Sequence, residues 1–319
     1  MQNRLFRSFS LIAAFILTLT LFSGCGKKTD SVTVLLLDDY AVSAEEYEYF
    51  YYNFLSSLQY ESVTSDDVRA QVEAALRQRY AVRKLAAQYE ITVGDDDQEN
   101  IDRDIASLEE SYGGKSELDQ ALAEWHMNRA FLRELLSDTY LETALRAYLS
   151  DPYKSDIPAD DDTVRQDALS HFYHAKQILI SHEEGDDLVA NYTLAESLLE
   201  RAEAGEDFDD LIAQYGEDSY MELHPEGYYF TDGQLLTEFE DAVLALHEGE
   251  FSPVVMSEVG YHVILRLPLE EAEIDAQLDS IRAAYLSRTV NTRLAETGAA
   301  MKLIYADAFD TLQLETMPG

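Results

Sequence analysis

Ala175-Lys176-Gln177-Ile178-Leu179-Ile180 and Gly260-Tyr261-His262-Val263-Ile264-Leu265-Arg266-Leu267 decide how this chain is read. Both are short, rich in β-branched and aromatic residues, and bounded by turn formers, the pattern of strands in a compact sheet. Between them the apolar spacing changes from a period of two to a period near 3.6. Leu194, Leu198 and Leu199 predict a helix over 193–204 that stops at Gly205. Phe208, Leu211 and Ile212 open a second, short helix, and Phe239, Val243 and Leu246 mark a third over 238–246. About one hundred residues of this kind make one α/β unit.

Upstream the pattern is helical. Ser43-Ala44-Glu45-Glu46 has the form of a capping box, and the helix after it carries Tyr47, Tyr49, Phe50, Tyr51, Tyr52, Phe54 and Leu55. Rings on more than one face call for a partner helix, so core packing is the first reading and a client-binding groove the second. Val68, Val72, Leu76, Tyr80 and Leu85 continue at helical spacing to a break at Ile91-Thr92-Val93-Gly94. A helix over 97–112 should stop at Gly113-Gly114, and residues 116–149 supply two more. Val34-Leu35-Leu36-Leu37 reads as a single strand ahead of this region. Residues 151–162, with two prolines and five aspartates, read as a linker.

The chain has 319 residues, enough for two domains, with 62 Asp and Glu against 23 Lys and Arg and a formal net charge of −39. Such a field repels phosphate backbones and argues against nucleic acid as a partner. It is first a solubility device and second an attraction for basic clients. Arg4 and Arg7, an apolar run over 11–22, and the small residues Ser23-Gly24 before Cys25 read as a secretory signal, too short for a stable membrane span. Cys25 is the one cysteine, so the chain cannot form an internal disulfide.

With these residues in view, two resemblances can be stated. Leu21-Phe22-Ser23-Gly24-Cys25 resembles a bacterial lipobox, apart from Phe22 where leucine is usual. It implies a signal peptide over 1–24, lipid on Cys25 and a tether over 25–31. The order of Tyr215-Gly216-Glu217-Asp218-Ser219, Gly233-Gln234-Leu235-Leu236-Thr237-Glu238-Phe239 and Gly249-Glu250-Phe251-Ser252-Pro253 between the two strands resembles the parvulin-type peptidyl-prolyl cis-trans isomerases. The whole chain is similar to PrsA-type foldase lipoproteins, with a helical region like that of SurA-type chaperones.

That resemblance implies an α+β chain in which a discontinuous, all-helical chaperone domain (32–165 and 269–319) holds an inserted parvulin-like domain (166–268). Ile274, Leu278, Ile281, Tyr285, Val290 and Leu294 would lie on one long returning helix. Phe230, Leu235 and Phe239 match the positions that line a proline cup, Leu235 standing where methionine is usual. Asp218 matches a cysteine-or-aspartate position near the imide, Ser257 a hydroxyl position, and His262 one of two histidines. The other histidine is absent: Gln177 stands in its place, and His174, at an odd offset along the strand, points to the opposite face. His224-Pro225-Glu226-Gly227-Tyr228 replaces the usual glycine-rich turn.

The implied protein is a membrane-anchored extracytoplasmic isomerase of Xaa–Pro bonds that also binds unfolded secreted proteins. It needs neither cofactor nor metal, and a homodimer is left open. The alternative is a holdase that keeps the domain for peptide binding without catalysis, for which Gln177 is the motive. Each site residue also has a plainer reading. A histidine on an apolar strand is as readily a hydrogen-bonded core residue as a catalyst. Asp218 is as readily a turn cap, and Leu235 and Phe239 could be plain core. Glu183-Glu184-Gly185-Asp186-Asp187 reads as a solvated loop.

Overall fold

The computed structural model describes residues 32–57, 64–183, 185 and 187–314. The signal peptide, the lipobox with Cys25 and the tether therefore lie outside the described residues, as do Glu184 and Asp186 of the acidic loop.

The described residues divide into two compact units, one formed by those up to 156 together with those from 289 onward, the other by those within 157–288. The first opens with strands β1 (Thr33–Leu37) and β2 (Tyr40–Ser43), followed by helices α1 (Ala44–Ser57), α2 (Ser65–Gln88), α3 (Asp95–Tyr112), α4 (Lys115–Glu124) and α5 (Arg129–Leu149). Ser43 Oγ accepts from the Glu46 amide at 3.1 Å, which starts α1. Thr64 and Asp67 form a reciprocal capping box for α2, and Gly113, at φ +92°, ends α3 in the left-handed region. The rings of α1 are core: Tyr47, Tyr49, Phe50 and Tyr51 are buried with Val68, Val72 and Leu76 of α2 and Phe131 and Leu135 of α5.

Among these apolar contacts sits an ionic cluster. Arg79 is fully buried and reaches Glu46 at 2.5 Å, Glu134 at 2.7 Å and Asp138 at 2.7 Å, while Tyr80 donates to Glu46 at 2.9 Å. The Glu46 carboxylate is thus committed to Arg79 and Tyr80.

The second unit starts with helix α6 (Asp161–His171) and strand β3 (Phe172–Ser181), then α7 (Leu188–Glu203), α8 (Phe208–Tyr215), α9 (Ser219–Leu223), β4 (Tyr228–Thr231), α10 (Thr237–Ala245), β5 (Val255–Met256), β6 (Gly260–Leu267) and α11 (Glu271–Ala276). Helix α12 (Leu278–Ala300) carries the chain from this unit into the first, where strand β7 (Leu303–Tyr305) and a 3-10 turn (Asp307–Thr311) follow.

The sheet of the second unit is antiparallel, in the order β4-β3-β6-β5. Period-two alternation sorts its side chains onto two faces. Ile178, Ile180, Tyr261 and Val263 pack beneath Ala195 and Leu198 of α7 and Leu211 of α8. Tyr173, Ala175 and Ile264 take the other face, under Phe239 and Val243 of α10. Gln177 and His262 belong to this second face, because Gln177 pairs with Ile264 and His262 with Leu179.

Several expectations require correction. The class is α+β, but the helical unit is not all helix. Its single predicted strand is one of three, in the order β2-β1-β7, because the chain returns after α12 to pair residues 303–305 with β1. The returning helix is two helices, interrupted at Gln277, a break that no proline or glycine announces. Helix α7 begins at Leu188 rather than near 193. The reason is that Asp187 accepts from the Val189 and Ala190 amides at 3.1 and 3.2 Å, so this member of the acidic loop is a helix cap. The second unit also reaches beyond 166–268. Val164 and Ala168 of α6 are buried against Phe172, Ile274 and Ile281, which makes α6, α11 and the start of α12 part of its core.

Candidate active site

Four loops converge on the sheet face that carries Gln177 and His262. Asp218 lies between α8 and α9, where Oδ1 accepts from the Tyr220 amide at 2.9 Å and caps α9. The segment before it is pinned to β3, with the Glu217 amide donating to the Leu179 carbonyl at 2.9 Å and the Glu217 carboxylate accepting from the Ser181 amide at 2.8 Å. Ser257 opens the turn between β5 and β6, where its amide donates to the Gly260 carbonyl at 3.0 Å. Gly227 turns the chain into β4 at φ +105°, and a Cβ there would fall 2.5 Å from the Ala175 carbonyl oxygen. The departing turn sequence therefore keeps glycine at the position where β4 meets β3.

The side chains form one continuous run of hydrogen bonds. Ser257 Oγ lies 2.7 Å from His262 Nε2, and His262 Nδ1 lies 2.6 Å from Gln177 Oε1. Gln177 Nε2 donates to Asp218 Oδ2 at 2.6 Å, and the Tyr228 hydroxyl donates to the same oxygen at 2.7 Å. The carboxylate only accepts, which orients the Gln177 amide with its oxygen toward His262. His262 must then carry its proton on Nδ1 and accept at Nε2 from the Ser257 hydroxyl. Ser257 Oγ in turn accepts from the Val259 amide at 3.2 Å. Every donor in the run has an acceptor when the imidazole is neutral. Burial holds the His262 pKa below its ordinary value, against the opposing pull of Asp218 and Glu238. Burial, together with the Asp218 carboxylate, pushes the Tyr228 hydroxyl up, so it remains a donor.

An aromatic bed lies beside this run. The Phe239 ring is 6.2 Å from the His262 ring, 5.9 Å from Phe230 and 5.7 Å from Tyr228, centroid to centroid. Phe230 and Phe239 are buried, while Leu235 is half-buried against the same cluster. The loop holding Leu235 is fixed by Glu240, whose two carboxylate oxygens accept from the Gly233 and Leu235 amides at 2.8 and 2.7 Å. Outside the bed, Tyr220 stacks between Tyr228 at 4.3 Å and His224 at 4.2 Å.

All seven side chains named from the sequence, Asp218, His262, Ser257, Gln177, Phe230, Leu235 and Phe239, thus fall on one face of one unit. His174 does not join them. It lies on the far face, stacked on Tyr229 at 4.0 Å, with its ring nitrogens 3.0 and 2.7 Å from the Pro268 and Glu226 carbonyls. His171 is also elsewhere, 2.7 Å from Asp232. Two members were not anticipated, Tyr228 and Glu240. Tyr228 directly follows the required Gly227, and Glu240 is a charged residue on the buried side of α10, next to Phe239. Each position was a signal available in the sequence.

The sheet, its flanking helices and this buried polar run over an aromatic bed define a parvulin-type domain. Residues 163–266 match the PPIC-type PPIase domain family, so the chain carries a peptidyl-prolyl cis-trans isomerase domain. Beyond the domain, the chain is similar to proteins named foldase protein PrsA. It is 24% identical to that of Oceanobacillus iheyensis over 231 residues, 70% of this chain and 71% of the relative. With that of Halalkalibacterium halodurans it shares 34% identity over 101 residues, 31% of this chain and 30% of the relative. A solved PrsA structure from Bacillus cereus aligns at 16% identity and a TM-score of 0.35, covering 90% of this chain and all of that one.

Proposed function

We propose that this chain is an extracytoplasmic foldase, held at a bacterial cell membrane by lipid on Cys25, that isomerises Xaa–Pro bonds in secreted proteins and binds them while unfolded. The observation that carries the catalytic part is the hydrogen-bonded run Ser257–His262–Gln177–Asp218–Tyr228 beside Phe230, Leu235 and Phe239.

Rotation about an X–Pro bond meets a barrier of about 18–20 kcal/mol because amide resonance is lost at the twisted geometry, yet no covalent bond breaks. A catalyst that seats the ring and desolvates the imide lowers that barrier without a nucleophile. In this reading Leu235, Phe239 and Phe230 seat the proline ring. Asp218, Ser257 and His262 line the imide side with fixed dipoles, and Gln177 holds His262 in one tautomer. Nothing in this scheme requires His262 to change protonation state.

A protease-coupled assay on Xaa–Pro tetrapeptides tests the proposal. Exchange accelerated over the uncatalysed rate, and lost in His262→Ala, is the expected result; a rate equal to the uncatalysed one removes the enzyme.

Gln177 also favours a second reading, a holdase in which the domain only binds peptide. Under that reading wild type suppresses aggregation of an unfolded client without isomerising it, and Gln177→His raises isomerase activity. Efficient turnover by wild type discards it.

A further inference from the structure

The six lysine and arginine side chains of residues 157–288 face 31 aspartates and glutamates in the same stretch. All six are already engaged. Arg165 binds Asp275 at 2.8 Å, Lys176 binds Asp209 at 2.7 Å, and Arg201 binds Glu206 at 2.6 Å. Arg282 binds Asp161 at 2.5 Å, Arg288 pairs with Asp167, and Arg266 caps the end of α10 through the Leu246 carbonyl at 2.7 Å. No cation of this unit is left over for an anionic substrate group.

Carboxylates, in contrast, lie at the candidate site on three separate segments. Asp218 ends the hydrogen-bonded run and takes its bonds from an amide, a phenol and a backbone N–H, none of them a cation. Glu238 precedes Phe239 in the first turn of α10, and Glu258 follows Ser257 in the β5–β6 turn. Both are exposed and have no ion-pair partner among the described residues. At His262 burial dominates and disfavours a positive charge, but among the neighbouring groups Asp218 and Glu238 favour one and His182 opposes it.

We propose that this site selects a cationic side chain beside the proline, Lys–Pro or Arg–Pro, and discriminates against Glu–Pro, Asp–Pro and phosphorylated residues at that position. The proposal rests on the isomerase reading above and adds the substrate class. Its source is local: the carboxylates of Asp218, Glu238 and Glu258 are members or immediate sequence neighbours of the site residues, and no lysine or arginine of the unit is free to offset them. A unit charge about 8 Å from a carboxylate in a water-like dielectric changes affinity about twofold, and reversing the sign of that charge doubles the effect in free energy. With a screening length of about 10 Å at about 0.1 M salt, three such groups give about a tenfold preference for Lys–Pro over Glu–Pro.

The test uses the full-length chain and tetrapeptides Ala-Xaa-Pro-Phe with Xaa as Lys, Ala or Glu. The kcat/KM ratio of Lys to Glu is expected to be about tenfold at about 0.1 M salt and to fall below about twofold near 1 M, where the screening length is about 3 Å. Glu238→Gln/Glu258→Gln should reduce that tenfold ratio to about twofold. A longer peptide of the same net charge, with its lysine four residues from the proline, should lose most of the advantage. Equal rates for Lys and Glu, with Ala–Pro turned over, overturn the charge selection and leave the isomerase standing. A distant lysine that works as well as an adjacent one overturns it too. If no peptide is turned over, the isomerase reading fails separately, and anisotropy of labelled peptides decides. Tighter binding of Lys–Pro by about tenfold upholds the selection, and equal binding overturns it.

Discussion

Replacing Gln177 with leucine removes the centre of the polar run while keeping side-chain volume close to constant. His262 Nδ1–H loses its acceptor at a position 1% exposed, so water cannot replace it. A buried donor left unmatched costs about 1–3 kcal/mol. Asp218 loses one donor but keeps Tyr228 and the Tyr220 amide and is half-exposed, which adds roughly 0.5 kcal/mol. The sum is about 2–3 kcal/mol, or roughly 6–9 °C in Tm for a unit of this size. His262→Phe should cost a similar amount, about 2–3 kcal/mol, because it strands Gln177 Oε1 and the Ser257 hydroxyl.

The double variant is the informative one. With both partners apolar, the stranded groups of each single change disappear together, and the pair should be less damaging than the sum of the singles by about 1.5 kcal/mol or more. Scanning calorimetry on the full chain measures all three. Trp125 belongs to the other unit, so indole fluorescence reports a different region. Additive single and double variants, or a Gln177→Leu cost below about 0.5 kcal/mol, would refute the reasoning that this amide is a matched, buried link.

Gly227→Ala places a Cβ against the Ala175 carbonyl at φ +105° and should cost about 2 kcal/mol or more, read as a lower thermal midpoint of the isomerase unit. Arg79→Met leaves Glu46 buried without its cation and Asp138 with only Arg83 at 3.5 Å, and should cost about 3–5 kcal/mol in the helical unit, measured by urea unfolding followed at Trp125. For His262 the folded pKa lies below the ordinary 6.5, so the unfolded chain binds more protons between the two values. Its contribution to stability is therefore complete above about 6.5 and is lost as pH falls toward the folded pKa. The stability difference between wild type and His262→Gln should be flat from pH 7 to 9 and shrink below that window; a difference that grows on acidification contradicts the assignment.

What could be read in advance depended on whether a contact is local. Strand β6 runs over Gly260–Leu267 as its apolar pattern predicts, since alternation along one segment needs no partner to be visible. Strand β3 runs longer than its pattern, Phe172–Ser181 rather than 175–180, because pairing with β4 extends it at one end. The three-stranded sheet of the helical unit was invisible for the same reason in stronger form: β1 meets residues 303–305, far away in sequence. Ser43 could be assigned as a cap from its neighbours, whereas the binding of Glu46 to Arg79 could not, because that contact spans two helices. In the site, the seven residues followed from motif order. Glu240 escaped notice because a carboxylate at a buried helix position reads as an error until the two loop amides it serves are seen.

The substitution at position 177 then has a physical interpretation. A histidine there could carry its proton on either nitrogen, so the direction of the run from Ser257 to Asp218 would vary with protonation. A glutamine between a carboxylate and an imidazole has one orientation that satisfies both. It fixes the tautomer of His262 permanently and removes a titrating group from the site. Bond rotation transfers no proton, so an isomerase loses no obligatory step by this exchange. What it gives up is adjustment of the field by pH, and what it retains is an ordered wall of dipoles beside an apolar seat.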